Sequence, residues 1–158
     1  MIFVTLGTQK FQMNRLVEAV DKIAPMLKED VFIQTGSSTF KPVNCEYKDF
    51  LDAAEFNEHV SNCTVLITHA GVGSIMTGIN AKKPVIVVPR LAHFHEHVDD
   101  HQTEIAEAFA SKKCVIYCKD LQKLSTYIDK CKTFKFEPYV VRGGKIEDIV
   151  LNFLKIFE

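Results

Sequence analysis

The chain has 158 residues, of which 47% are hydrophobic and 25% are charged, a balance typical of one soluble domain that buries about 70% of its unfolded surface. Its net charge of -1 provides no basic field to hold a nucleic-acid backbone or an anionic bilayer, so we expect no nucleic acid among its partners. No apolar run approaches the roughly 20 residues needed to cross a bilayer, and the N-terminus lacks the basic flank of a signal peptide, so we expect a cytoplasmic protein.

The first half of the chain alternates short apolar runs with amphipathic stretches. The runs are rich in β-branched residues, and the stretches repeat apolar residues at three- and four-residue steps. Pro25 lies late in the first stretch, where it predicts a kink or an early end. The pattern predicts strands at 2–6, 31–35 and 43–48 and helices at 11–27 and 52–62.

The second half continues the same alternation. It predicts strands at 65–68, 85–89 and 114–117 and helices at 75–81, 98–110, 121–131 and 145–157. Regular alternation of strand and helix is typical of a parallel sheet with helices on both faces. We therefore predict a single doubly wound, Rossmann-like α/β domain over residues 1–158, with its ligand site beyond the carboxyl ends of the strands.

A glycine-rich turn joins the predicted strand at 65–68 to the next helix. Residues 68–74, THAGVGS, place Ser74 near the expected N-cap. Such a turn points free N–H groups and the positive end of a helix dipole at one spot, which suits a diphosphate. The GxGxxG pattern fails because Met76 stands at its third glycine, which argues against a nicotinamide-dependent enzyme. The alternative is that these glycines serve only a tight turn.

A second glycine turn, Gly7-Thr8, is predicted at the same edge of the sheet. Ser37 and Ser38 follow another strand and emerge there too. Because the carboxyl ends of parallel strands share one edge, several backbone donors converge on one crevice. This convergence favours a ligand site over a purely structural pair of turns.

Residues of the types that ligate metals occur as five cysteines and as a cluster of histidines, and the histidine segment has three possible interpretations. Five cysteines form an odd set without a CxxC pair, which predicts reduced, mostly buried thiols. Residues 89–102 gather four of the six histidines. This segment is a transition-metal site, a solvated loop whose Asp99 or Asp100 caps the next helix, or a set of polar groups that bind sugar hydroxyls. The alternation of His93, His95 and His97 matches no recognised ligand spacing, so we expect no metal.

Four segments in order resemble the C-terminal, donor-binding domain of family 28 glycosyltransferases. They are VTLGT at 4–8, ITHAGVGS at 67–74, KPVIVVPR at 83–90 and EHVDDHQTEIA at 96–106. The likeness is to the free-standing subunits of exopolysaccharide synthesis (the PssE type) and of the UDP-GlcNAc transferase of N-glycan assembly. In that family the domain is one lobe of a two-lobed GT-B enzyme. The resemblance implies that a membrane-associated partner presents the lipid-linked acceptor, and that the chain sits at the membrane only through this partner.

The resemblance also implies roles for individual residues. It assigns the donor diphosphate to Gly71, Val72, Gly73 and Ser74, the donor sugar to Asp100, His101 and Gln102, and a loop facing the interlobe cleft to Gly7 and Thr8. His69 falls near the phosphates. Where many relatives carry an acid that holds the ribose, this chain has Thr77, which offers one hydroxyl and no charge.

The leading hypothesis is inverting transfer from a UDP-sugar, used as a substrate without a further cofactor, in polysaccharide biosynthesis. Backbone donors stabilise charge on the UDP leaving group. The general base comes from the partner, with His101 and His69 as fallbacks. The alternatives are a non-catalytic enhancer or scaffold subunit, which Thr77 favours, and a metal-dependent hydrolase built on the histidines of 93–101. The apolar stripe of the helix at 145–157 packs on the sheet, docks the partner or contacts a second copy of the chain.

Overall fold

The computed structural model describes residues 1–140, so the helix predicted at 145–157 lies outside the described residues. The strands are β1 Ile2–Thr5, β2 Val31–Gln34, β3 Glu46–Lys48, β4 Val65–His69, β5 Val85–Val88 and β6 Ile116–Tyr117. The α-helices are α1 Asn14–Ile23, α2 Ala53–Asn62, α3 Val72–Asn80, α4 His101–Ser111 and α5 Leu124–Cys131. Within residues 1–140, no helix combines the length and the hydropathy needed to cross a membrane.

All six strands are parallel and form one sheet in the order β3-β2-β1-β4-β5-β6. Parallel neighbours need crossover connections, which the intervening helices and loops supply. The chain builds outward from β1 in one direction and from β4 in the other, so the strand order switches between these two strands. The predicted doubly wound, Rossmann-like sheet is confirmed, and its switch point is the usual place for a ligand in such folds.

Two apolar layers bury the two faces of the sheet. Successive strand residues point to opposite faces, so Ile2 and Val4 pack with α1 and α5, whereas Phe3 packs with α2, α3 and α4. Burial on both sides explains why the strands read as continuous apolar runs rather than as alternating patterns. Four of the five cysteines are buried and the fifth, Cys45, is partly buried, as predicted.

Several element boundaries differ from the sequence-based expectations. Helix α3 begins at Val72 rather than at residue 75, with Gly71 instead of Ser74 at its N-cap. Helix α4 begins at His101 rather than at 98, because Asp99 and Asp100 form the turn before it. In addition, α1 spans 14–23 instead of 11–27, β3 spans 46–48 instead of 43–48, β6 spans 116–117 instead of 114–117, and a 3-10 turn at 121–123 precedes α5, while several other ends differ by one residue.

Helix α2 shows how the sequence sets a boundary locally. The Asp52 side chain accepts a hydrogen bond from the Glu55 backbone N–H at 2.8 Å, and the Glu55 side chain accepts one from the Asp52 N–H at 2.9 Å. This capping box satisfies two N–H groups at the helix start, so the helix begins where it was predicted to begin. It also holds the loop before α2 at the carboxyl edge of the sheet.

Candidate functional site

Two glycine turns meet at the switch point of the sheet. The turn at Gly7 follows β1, and the turn at Gly71 follows β4, the strand that pairs directly with β1. Gly7 has φ +73°, a left-handed conformation that side chains disfavour. The sequence-based prediction that both turns lie at one edge is therefore confirmed by the strand order.

The turn after β4 leads straight into helix α3. The first backbone hydrogen bond of this helix is donated by the Ile75 N–H to the Gly71 carbonyl oxygen at 3.1 Å. The N–H groups of Val72, Gly73 and Ser74 precede that bond, and such groups have no partner within their own helix. They lie at the positive end of the helix dipole, so this turn can hold an anion.

His69 fills the space between the two turns. A Cβ atom on Gly71 would lie 2.3 Å from His69 Cε1, and one on Gly7 would lie 2.5 Å from His69 Nε2. Both distances are far below van der Waals contact, so the ring excludes any side chain at either position. The glycines therefore serve the packing of His69 as well as the turn geometry, which the sequence analysis did not foresee.

Gln102 holds the opposite edge of the His69 ring. Its amide nitrogen lies 3.2 Å from His69 Nδ1. Its amide oxygen accepts hydrogen bonds from the backbone N–H groups of Ala70 at 3.1 Å and Arg90 at 3.0 Å. Burial, with a further effect of the nearby Arg90 charge, lowers the pKa of His69 to about 3. The imidazole is therefore neutral near pH 7, and because its pKa is so low it has little affinity for a proton, which makes His69 a poor general base.

Arg90 ties the loop after β5 to the loop after β1. Its side chain is buried, and its guanidinium donates hydrogen bonds to the carbonyl oxygens of Leu6, Phe11, Gln12 and Glu96. Burial lowers the pKa of Arg90 to about 10, against the opposing effect of Glu96, so the group stays charged at neutral pH. This cation fixes the carboxyl edge on which the Gly7 turn rests.

Glu96 forms a second connection between the loop after β5 and the rest of the carboxyl edge. Its buried carboxylate accepts hydrogen bonds from Arg15 Nη2 at 2.9 Å and Arg15 Nε at 3.1 Å, and from the Leu91 backbone N–H at 3.0 Å. A two-point guanidinium–carboxylate pair of this kind is directional as well as charged. It fastens the loop after β5 to helix α1.

The histidines of the 89–102 segment are not gathered into a cluster. His93, His95 and His101 are exposed, and His97 lies 3.2 Å from Asp99 Oδ1. Within residues 1–140 no group of three or more His, Cys, Asp or Glu side chains comes close enough to hold a metal ion. The Asp99 carboxylate instead accepts a hydrogen bond from the His101 backbone N–H at 3.0 Å, as expected of a loop that caps the next helix.

A cavity of about 290 Å³ opens beside the two turns. Gly7, Thr8 and Ser74 line it, together with Leu51 and Asp52 just before α2 and Phe56 in its first turn. Among the described residues, three other cavities are larger. Two, of about 430 and 480 Å³, are lined by residues that precede β2 and β5, at the amino edge of the strands, where helices present their negative ends. The third, of about 420 Å³, lies along the edge strand β6, away from both glycine turns. The smaller cavity is therefore the better anion site.

The other predicted site residues, Gly71, Val72, Gly73 and Gln102 among them, do not line this cavity. The Thr77 hydroxyl donates to the Gly73 carbonyl oxygen at 2.8 Å, inside helix α3. The Asp100 carboxylate accepts a hydrogen bond from the Ala92 N–H at 2.8 Å. Exposed His101 has Nδ1 3.4 Å from Glu104 Oε2. Thr77, Asp100 and His101 are absent from the lining of the cavity, and their roles toward ribose and sugar stay predictions.

A comparison with known protein families shows to which family the chain belongs. Residues 1–141 match the profile of the Glycosyltransferase family 28 C-terminal domain. The chain belongs to this family. The resemblance predicted from the four sequence segments is thus confirmed, and the match covers every residue of the site described above.

Curated relatives of this family 28 domain include subunits and a longer enzyme. The UDP-N-acetylglucosamine transferase subunit ALG13 of Candida albicans is 31% identical over 103 residues, which cover 64% of this chain and 34% of that protein. ALG13 of Homo sapiens is 28% identical over 126 residues, covering 74% and 11%. The UDP-N-acetylglucosamine--N-acetylmuramyl-(pentapeptide) pyrophosphoryl-undecaprenol N-acetylglucosamine transferase of Phocaeicola vulgatus is 31% identical over 83 residues, covering 52% and 21%. The matches span about a third or less of these relatives.

Solved structures show the same fold. The glycotransferase of kitacinnamycin superimposes with a TM-score of 0.61 at 16% identity, covering 84% of this chain and 34% of that one. The solution structure of ALG13 gives a TM-score of 0.58 at 17% identity and covers 98% and 94%. The family 28 domain therefore has the architecture of a C-terminal GT-B lobe, as predicted.

Sequence reasoning missed Arg15, Arg90 and Glu96, the charged residues that hold the carboxyl edge together. The position of Arg90 in the sequence could have indicated its role. It follows the buried strand β5 and Pro89 directly, so it lies at the carboxyl edge of the sheet, where a long polar side chain can turn inward. Arg15 and Glu96 lie on an amphipathic helix and a polar loop, where such residues are ordinarily exposed. Their pairing over 81 positions of sequence left no local trace.

Proposed function

We propose that this family 28 domain is the UDP-sugar-binding subunit of a two-component inverting glycosyltransferase. The observation that carries the proposal is that the first-turn N–H groups of α3 and the neutral His69 ring lie together beside the Gly7 turn. These groups match the chemistry of a nucleoside diphosphate, which needs hydrogen-bond donors and positive potential without bulk.

In this proposal the diphosphate lies over Gly71, Val72, Gly73 and Ser74. The nucleoside extends into the cavity toward Leu51 and Phe56, whose apolar surfaces suit a planar base. As the bond between the sugar and the phosphate oxygen breaks, negative charge builds up on the departing UDP. The N–H groups and the helix dipole stabilise that charge more than the charge of the bound donor, which lowers the barrier.

The acceptor hydroxyl must lose a proton, and of the titratable groups at the crevice the Asp52 carboxylate is engaged in capping α2 through the Glu55 N–H. His69 is neutral, with a pKa of about 3, and is held at Nδ1 by Gln102. We therefore propose that a membrane-associated partner subunit supplies the base and the lipid-linked acceptor, and that the chain reaches the membrane surface through it. The pathway we propose is polysaccharide biosynthesis, and UDP-GlcNAc is the first donor to test because it appears in the names of the ALG13 relatives.

A non-catalytic enhancer subunit is the second candidate. It is favoured by Thr77, whose hydroxyl is bonded to the Gly73 carbonyl oxygen and carries no charge to hold a ribose. An enhancer would keep the fold and the docking surface without saturable nucleotide binding. Donor affinity therefore separates the two candidates.

The deciding experiment is calorimetric titration of the chain with UDP, UDP-GlcNAc, UDP-Glc and UDP-Gal. We expect saturable binding of UDP and a preference for one UDP-sugar. In Gly73→Asp a carboxylate lies among the N–H groups, and UDP affinity should fall about a hundredfold or more, because like charges in a confined site repel strongly. Asp129→Asn, an exposed change on α5, is the matched control and should bind normally. Absence of saturable binding to the folded chain would support the enhancer.

A further inference from the structure

The Gln102 side chain has an orientation that its contacts determine uniquely. Its amide oxygen accepts from two backbone N–H groups, those of Ala70 and Arg90. A backbone N–H only donates, so the acceptor atom of the amide must face these groups and the NH₂ group must face the other way. The NH₂ group faces His69 Nδ1 at 3.2 Å.

This orientation dictates which nitrogen of His69 carries the proton. An NH₂ group only donates, so His69 Nδ1 must accept and therefore carries no hydrogen. In the neutral imidazole the single proton is then on Nε2. Gln102 thus selects one tautomer through hydrogen bonds that begin at the backbone N–H groups of Ala70, after β4, and Arg90, after β5.

The protonated nitrogen points at the proposed diphosphate site. The position of a Cβ on Gly7 would be 2.5 Å from Nε2, and that of a Cβ on Gly71 would be 2.8 Å from it. Nε2 therefore lies between the two glycine turns. Among the hydrogen bonds of residues 1–140, the His69 ring takes part at Nδ1 and not at Nε2, so its N–H is available to a ligand.

We propose that Gln102 is a positioning residue that fixes His69 as the Nε2–H tautomer, so that the ring donates a hydrogen bond to a phosphate oxygen of the nucleotide. The inference rests on the proposed function for its ligand. It gives Gln102 a different task from the sugar contact expected from the sequence. The two tasks differ in outcome, because a residue that acts through His69 affects UDP and UDP-sugar equally.

The first test reads the tautomer without any ligand. Long-range ¹H–¹⁵N spectra of the full chain labelled at histidine should show His69 with an unprotonated Nδ1 and a protonated Nε2 at pH 7. In Gln102→Glu the carboxylate still accepts from Ala70 and Arg90 but also presents an acceptor to Nδ1, so Nδ1 should become protonated. A wild-type His69 protonated at Nδ1, or a spectrum unchanged in Gln102→Glu, would overturn the proposal.

The second test uses UDP and UDP-GlcNAc as probes. Gln102→Met removes the amide at similar length, and both ligands should bind about tenfold more weakly or worse, as expected for loss of one hydrogen bond to a charged group. Gln122→Met, an exposed change on the 3-10 turn before α5, is the matched control. Because Gln102→Met also leaves two N–H groups without an acceptor, its melting transition is measured first. If it fails to fold, Gln102→Glu takes its place in the titration, with a loss again expected for both ligands.

The outcomes separate this inference from the function on which it rests. If wild type binds neither ligand, the proposed function fails, while the tautomer spectra still decide whether Gln102 sets the His69 proton. If wild type binds and UDP shifts the His69 Nε2 resonance, with equal losses for both ligands in the variant, the positioning role stands. A loss confined to UDP-GlcNAc, or unchanged UDP affinity in a folded variant, assigns Gln102 to the sugar and overturns it.

Discussion

The loops that follow the adjacent strands β4 and β5 use polar groups in opposite ways. The turn after β4, residues 70–71, keeps side chains small because His69 occupies the space behind it, and it leads into the first turn of α3, whose N–H groups at residues 72–74 have no partner within the helix. The loop after β5, residues 89–100, turns Arg90 and Glu96 inward and leaves His93 and His95 exposed. At this edge the charged side chains of Arg15, Arg90 and Glu96 hold the loops together, and we call these three residues the frame, whereas the backbone provides the binding surface.

We expect the largest effect on stability when the buried pair of Glu96 and Arg15 is removed. Glu96→Ala removes a buried carboxylate, leaves the Leu91 N–H without its acceptor, and leaves the Arg15 guanidinium with only the Pro89 carbonyl oxygen as an acceptor. Loss of one partner of a buried pair costs about 3 kcal/mol or more, so the free energy of unfolding in urea should fall by that amount. Asp129→Asn, which breaks the exposed pair with Lys132, is the control and should change stability by less than about 1 kcal/mol. Equal effects would mean that Glu96 is not part of the frame.

The next effect concerns the space behind the glycine turn. In Gly71→Ala the new Cβ would lie 2.3 Å from the His69 ring, which is held on its other edge by Gln102 and cannot retreat freely. Overpacking of this kind costs about 1–3 kcal/mol, and displacement of His69 should weaken UDP binding at least tenfold. Thermal melts and titrations of the same preparation measure both. Gly73→Ala, in the exposed first turn of α3, should leave stability unchanged or raised, and a similar loss there would contradict the crowding argument.

A smaller effect follows from the buried neutral His69. Its pKa is lowered to about 3 by burial and by the charge of Arg90, with a further contribution from His97, whereas an unfolded histidine titrates near 6.5. Below pH 6.5 the unfolded state therefore binds more protons than the folded state. The contribution of neutral His69 to the free energy of unfolding is fully present above that pH and is lost as pH falls. The loss from His69 is about 1.4 kcal/mol per pH unit in the lower part of the window.

The pH prediction is measured by urea unfolding at intervals from pH 7 to 5, above the range in which carboxylates begin to protonate. His69→Gln, which cannot titrate, should show a slope smaller by up to one proton. The other histidines are common to both chains and cancel in the difference. Identical slopes would show that His69 is not held neutral in the folded state.

The smallest effect is expected from the exposed histidines of the loop after β5. The double variant His93→Asn/His95→Asn should keep its melting temperature and bind UDP within about twofold of wild type, because neither side chain belongs to the described frame or lines the cavity. Added Zn²⁺ should change neither value. A zinc-dependent rise in the melting temperature of wild type that disappears in the variant would revive the metal-site interpretation.

The sequence predicted the elements that depend on local pattern. The apolar runs of the strands, the alternation with helices and the two glycine turns all follow from residues close to one another in the chain. The start of α3 was misplaced because Ser74 resembles an N-cap residue, whereas Gly71 takes that position and leaves Ser74 in the first turn. The roles of Thr77, Asp100 and His101 depend on a bound donor and stay predictions.

By itself, the sequence determined the parallel α/β architecture, the family and the edge of the sheet at which a ligand belongs. These depend on hydrophobic periodicity and on turn chemistry, which operate over a few residues. Only the tertiary structure decided the use of each polar side chain. The pairing of Arg15 with Glu96, the contact of Arg90 with Leu6 and that of Gln102 with His69 join residues 81, 84 and 33 positions apart. A buried polar group must find a partner wherever the fold brings one, and that choice is made by the packing of β1, β4 and β5 rather than by any local motif.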